Sequence, residues 1–258
     1  MHTLLRNKMG KTCLWGAVFT LAFVANLDAQ TLLSIDFSAA QGYGNGPLLG
    51  QPAGAANVWS KEPGTTPTGF DVQNGALHVD QHGGANSFIM ISFPLTSTGL
   101  LTATWEWQYL GLPDSSVDNG FVLSDSANFN LDNDGSAIDF NENGAMTRMT
   151  TDTGMINAIN SDGAGAGTYA NVNVDYRDGR LIPMKMVVYL DNLKYDLWAE
   201  GVQVADDFGF RRNPQRGFDT LVLWNSGAAV HAPEEGMMLD NIVITGGSSN
   251  VPHWSLFE

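Results

Sequence analysis

From residue 101 to 110 the chain reads LTATWEWQYL and alternates strictly. Leu101, Ala103, Trp105, Trp107 and Tyr109 fall on one face of an extended segment, and Thr102, Thr104, Glu106 and Gln108 on the other. The same period-two patterning recurs in short runs between Gly, Asn, Asp and Pro, and no long 3.6-residue pattern competes with it. The runs cover residues 32–37, 76–81, 88–93, 101–110, 120–124, 137–141, 146–150, 183–190, 194–199, 202–205, 220–225 and 238–245. About a dozen half-buried strands predict an all-β, two-sheet antiparallel sandwich or a barrel. In VVYLDNLKYDLWAEGVQVA, reversals at Asp191-Asn192 and at Glu200-Gly201 predict a three-stranded meander. Residues 40–70 and 151–180 read as long loops, the second carrying the Gly/Ala-rich SDGAGAGTYANVN.

The first 29 residues are read as an export signal and not as part of the fold. Arg6, Lys8 and Lys11 precede an apolar stretch from Leu14 to Val24, and Leu27-Asp28-Ala29 offers a cleavage site before Gln30. That stretch is too short for a membrane span, which needs roughly 18 or more apolar residues. Cys13 is the only cysteine, so the exported chain has no disulfide and depends on its core, with metal as a possible staple. Cys13 also precedes the apolar stretch, which argues against a lipid anchor. The remaining 229 residues are enough for one sandwich domain over residues 30–247, with 248–258 as a short tail.

Charge narrows the partners. The whole chain has 12 Lys+Arg against 27 Asp+Glu; without the leader, 9 face 26, a net of −17. Such a chain repels nucleic acid and anionic membrane surfaces and leaves neutral glycans and divalent cations as partners.

A first strand LLSIDF, the loop GYGNGPLLGQPAGAANVW, the segment FDVQNGALHVD, the meander ending YDLWAEGVQV and a last strand MLDNIVITGG together resemble the concanavalin A-like lectin/glucanase superfamily, and in particular laminin G-like secreted bacterial proteins. The resemblance spans nearly all of residues 31–246 and implies a jelly-roll sandwich in which first and last strands lie together. Many such domains bind glycans on a concave face or edge. The resemblance also implies a structural calcium held by an aspartate near the last strand, Asp240 here, with Asp36 beside it.

A second calcium candidate is LDNDGSAIDFNENG. Asn130, Asp132, Asp134 and the Ser136 carbonyl occupy alternate positions of an acidic loop around Gly135, as a cation taking six to eight oxygens requires; a solvated turn is the competing reading. Within the same stretch, A-I-D-F-N-E resembles the E-I-D-F-x-E of laminarinase- and lichenase-type hydrolases at Asp139 and Glu142. The nucleophile position, however, holds Ala137. Retaining hydrolysis needs two carboxyl groups about 5–5.5 Å apart, and Ala cannot attack, so no catalytic residue is assigned. A lyase needs a base and a group that neutralises a substrate carboxylate. His78 and His82 stand about 13 Å apart on a regular strand, and Arg211, Arg212 and Arg216 are expected to pair with carboxylates.

Sugar stacking remains. Trp198, on the polar face of its strand, is the aromatic most expected at the surface, followed by Trp59 and Trp224, each of which can instead plug an end of the sandwich. Glu106 and Gln108, opposite the apolar face of their strand, are groove candidates. The combined reading is a secreted, non-catalytic carbohydrate-binding or surface adhesion module, with a polysaccharide lyase or glycoside hydrolase of the same fold, or a purely structural envelope protein, as alternatives.

Overall fold

The computed structural model describes residues 29–61, 67–80, 87–111, 117–129, 140–150, 153–225 and 236–247. Its strands are β1 (Gln30–Ile35), β2 (Gly46–Pro47), β3 (Ser60–Lys61), β4 (Phe70–Gln73), β5 (Ala76–Asp80), β6 (Ser87–Thr96), β7 (Leu100–Tyr109), β8 (Asn119–Ser124), β9 (Ala145–Met149), β10 (Met155–Asn160), β11 (Thr168–Asp175), β12 (Leu181–Tyr189), β13 (Lys194–Ala199), β14 (Val202–Gly209), β15 (Phe218–Asn225) and β16 (Gly236–Gly247). They form two antiparallel sheets. One has the order β14-β13-β12-β7-β16-β5-β4-β2, with β1 also paired to β16; the other has the order β11-β10-β9-β8-β15-β6-β3. Of the sandwich and the barrel that the alternation allowed, this is the sandwich, and it is the jelly roll that the resemblance implied.

The inner faces supply the core. In β7 the odd residues from Leu101 to Tyr109 are buried and the even ones only half-buried, so the strand that opened the reading faces the way its pattern demands. Trp105 stacks on Phe121 of the opposite sheet with ring centroids 3.9 Å apart, which ties the two layers at their centre. The meander is present as β12-β13-β14. Its second turn places Glu200 at φ 53° and Gly201 at φ 79°, as Asn74 and Gly75 do at φ 55° and 85° between β4 and β5. Two consecutive positive φ values give the primed turn whose twist matches adjacent strands.

The last strand closes the fold. On one side β16 pairs with β7. On the other, Gly236 to Leu239 pair with β5 and Ile242 to Gly246 with β1. First and last strands therefore lie together, as the resemblance implied.

Three expectations need correction. Residues 151–180 are not a loop, because β10 and β11 form a hairpin at the edge of the seven-stranded sheet. Their apolar signal was diluted by Asn and Ala, and on the edge strand β11 only Val172 and Val174 are buried, so little alternation was required there. Within 40–70 lie the two-residue strands β2 and β3 and the start of β4, too short to show a period. The run 137–141 is not a strand at its end, since Phe140–Glu142 is a 3-10 turn. Residues 137–139, like the leader, lie outside the described residues. Among the described residues no helix is long and apolar enough to cross a membrane.

Candidate functional site

The outward face of the nine-stranded sheet bears a groove of about 500 Å³. Register explains its lining. Val243 of β16 lies opposite Thr104 of β7, Thr104 opposite Lys185 of β12, and Lys185 opposite Trp198 of β13. One rung further, Asp240 lies opposite Glu106, and Glu106 opposite Pro183. Side chains on directly opposed positions share a face, so these two rungs bring Glu106 and Trp198, 92 residues apart in sequence, into one depression with Lys185, Pro183 and Asn241.

Trp198, the aromatic expected at the surface, is instead buried, with only 9% of its surface exposed. The Lys185 ammonium lies 4.8 Å from the indole centroid, a cation–π geometry in which the lysine also covers the ring. Pro183 is exposed and lines the same depression.

At the opposite wall β16 departs from regularity. A three-residue step, from Asp240 to Val243, faces the two-residue step from Glu106 to Thr104, so one extra residue is inserted. The bulge keeps Leu239 and Ile242 both in the core and leaves Asp240 and Asn241 outward. Asn241 adopts φ 51°, a left-handed conformation that Asn tolerates better than most residues. Its Nδ2 donates to Glu106 Oε2 at 2.7 Å and its backbone N–H to Asp240 Oδ1 at 2.7 Å. Partial burial pushes the Asp240 carboxyl up from its ordinary value, and the Glu106 and Asp36 carboxylates add to that rise. Asp36 behaves oppositely. Hydrogen bonds from Ser38, including its N–H to Oδ1 at 2.9 Å, hold this exposed carboxyl below its usual range.

Asp36 and Asp240 thus lie within electrostatic reach of each other at the junction of first and last strands, but each already accepts a backbone N–H. Among the described residues, the acidic set that converges is a different one: carboxylate oxygens of Asp196, Asp206 and Asp207 lie within 4.8 Å of one another. Asp196 is buried and accepts the Tyr189 hydroxyl at 3.0 Å and the Asp207 N–H at 2.8 Å. Burial and this acidic surrounding push the Tyr189 phenol well up. Asn130, Asp132, Asp134 and Ser136 lie outside the described residues.

The other aromatic candidates are in different places. Trp59 is fully enclosed and its Nε1 donates to the Tyr43 hydroxyl at 3.1 Å, so it plugs the fold and presents no face to a sugar. Trp224 is 1% exposed. It points to the outer side of the seven-stranded sheet, in register with Gly120, where a side chain on Gly120 would overlap the indole nitrogen. Exposure of Trp59 and Trp224 is therefore corrected to burial. Gln108 is outside the groove lining, with its Nε2 committed to the Gly179 carbonyl at 2.8 Å. Of the arginine cluster, Arg216 pairs with Asp125 and Asp219 as expected, whereas Arg211 and Arg212 bond Asn141.

Sequence reading missed Lys185 and Asn241. The first was visible as the one charge in the apolar run P-M-K-M-V. The second carried a phase break: in L-D-N-I the inward residues stand three apart instead of two, the signature of an inserted residue.

No protein-family model matches the chain, and no curated protein sequence matches it. Solved structures show its fold. The chain is similar to a sialidase at 12% identity and TM-score 0.52 over 84% of its length, spanning 19% of that larger chain. It is also similar to the carbohydrate recognition domain of Emp46p in its potassium-bound form, at 15% identity and TM-score 0.50, over 80% of this chain and 98% of that one. Likeness at this identity shows the fold alone, a two-sheet jelly-roll sandwich.

Proposed function

We propose that the protein is a secreted, non-catalytic carbohydrate-binding or surface adhesion module that holds a neutral glycan in the groove between Trp198 and Glu106. The observation that carries this reading is the juxtaposition of an indole, a carboxylate and an amide in one open depression. Pro183 and the part of Trp198 left exposed suit the apolar C–H face of a pyranose, and Glu106 and Asn241 suit its hydroxyls. Two fold neighbours, a sialidase and a carbohydrate recognition domain, carry names that concern sugars, which supports the class of ligand. The acidic balance of the chain favours neutral over anionic glycans at this face.

A glycan array of neutral oligosaccharides, probed with wild type, Trp198→Ala and Glu106→Gln, tests the reading. Saturable binding lost in both variants supports it; no binding to any neutral glycan removes it. Calcium enters as a structural ion through the 130–136 turn or the Asp36–Asp240 junction. An ion bound to the native state alone raises stability by RT ln(1 + [L]/Kd), so an unchanged melting temperature on adding chelator ends that part. Export rests on the leader, and N-terminal sequencing of the secreted chain should begin at Gln30.

A further inference from the structure

Trp198 lines the groove and yet shows little of its ring to it, and the two side chains that flank it across the sheet are held in different ways. Towards β14 the opposed residue is Gln203, whose Nε2 donates to Asp206 Oδ1 at 2.9 Å and so is tied to its own strand. Towards β12 it is the half-buried Lys185, whose ammonium lies 4.8 Å from the indole centroid. Past the end of β13, Gly201 lines the same groove, and nothing lies within 4 Å of the place where its side chain would stand. The groove therefore has room beside the indole and a charged group over it.

The ring face under the ammonium cannot at the same time stack on a pyranose. Which of the two holds it is decided by small energies. A cation–π contact at a solvated wall shifts a population by about two- to fivefold, and a lysine ammonium sits on a flexible four-carbon stem. Leaving the ring strands no charge. Glu106 stands diagonally across from Lys185, opposite Pro183, and diagonal neighbours on adjacent strands are roughly 7–8 Å apart, so the ammonium can move towards a carboxylate and water.

We infer that Lys185 is a swinging cover of the groove, over Trp198 when the groove is empty and displaced when a sugar stacks there. This rests on the reading of the groove as a site for a neutral glycan. Lys185 then has the opposite sign from the contact residues: it lowers affinity, whereas Trp198 and Glu106 raise it. It is also a specificity-determining residue. Only a ligand with an apolar C–H face replaces the ammonium on the ring, and a solute that needs no more than the polar wall of Glu106 and Asn241 gains nothing by moving it.

Two measurements on the full chain test the cover. Acrylamide quenching of tryptophan fluorescence needs no ligand: Lys185→Ala should increase quenching, and the increase should disappear when Trp198→Phe is present in both proteins. Calorimetric titration with cellohexaose, mannohexaose, xylohexaose and maltohexaose reads affinity. Lys185→Ala should bind about two- to fivefold more tightly than wild type. Lys185→Arg keeps the charge but stacks better on an aromatic face, and should bind more weakly than wild type. Unchanged quenching in Lys185→Ala, or affinity in that variant equal to or below wild type, overturns the cover and leaves the glycan reading standing. Binding of none of the four hexaoses by any of these proteins strikes the glycan reading, and the inference with it.

Discussion

Trp198 and Trp224 both point outward from their sheets and both are buried, yet only Trp198 lines a groove. Trp198 stands across a rung from Lys185, at the wall of a groove whose other side is raised by the bulge at Asp240 and Asn241. Trp224 stands across a rung from Gly120, and the missing side chain there admits the indole onto the backbone of the neighbouring strand. The first ring lies under a lysine ammonium, the second in van der Waals contact with a strand. Outward direction is a property of the strand, whereas exposure is a property of what the neighbouring strands carry.

Substitutions at these two places should separate the roles. Trp224→Ala removes a fully buried indole and should cost about 3–5 kcal/mol. For a chain of this size that is a fall in melting temperature on the order of 10 °C by calorimetry. Gly120→Ala leaves the tryptophan in place but puts a methyl group into it, and should cost about 1–3 kcal/mol through overpacking. Equal stability of this variant and wild type in a urea titration would show that the indole does not depend on the close approach.

Trp198→Ala should cost about 2 kcal/mol, roughly half of the Trp224 effect, with the larger loss appearing in glycan binding. If the two tryptophan variants melt together, the groove is core and the comparison fails. Lys185→Ala removes the cation over the ring, a contact worth about 0.5–1 kcal/mol.

The smallest effect expected is at Asp240. Its carboxyl is pushed up by burial, then by Glu106 and Asp36. A carboxyl whose folded value is raised favours the folded state only while protonated, and that contribution is lost as pH rises through the raised value. Asp240→Asn should therefore melt slightly higher than wild type near neutral pH, and the difference should vanish as pH falls through the carboxylate range. A variant that is less stable at pH 7 would mean that the charge is used, as a cation held at the β1–β16 junction would require.

The distribution of legible and illegible features follows one physical line. Strict alternation in β7 identified both the core row from Leu101 to Tyr109 and the polar row that contains Glu106. The Glu200-Gly201 turn was legible because two positive φ values demand particular residues. β10 and β11 were not, since strands near a sheet edge bury fewer side chains and so constrain fewer positions. Trp59 was placed in a Gly/Pro-rich segment by sequence and in the core by its contact with Tyr43, a pairing across 16 residues that no local pattern encodes.

By itself, the sequence determined the all-β class, the faces of the central strands and the acidic character of the chain, because each depends on local period or on simple counts; period alone left sandwich and barrel open. Only the tertiary structure decided which outward residues become neighbours. The Glu106–Asn241 hydrogen bond joins strands 135 residues apart, the Lys185–Trp198 contact crosses the β12–β13 hairpin, and Arg148, Tyr169 and Arg211, which meet around the tyrosine ring, come from β9, β11 and the segment after β14. Register sets those meetings, and register is fixed by the summed packing of both sheets and not by any one segment.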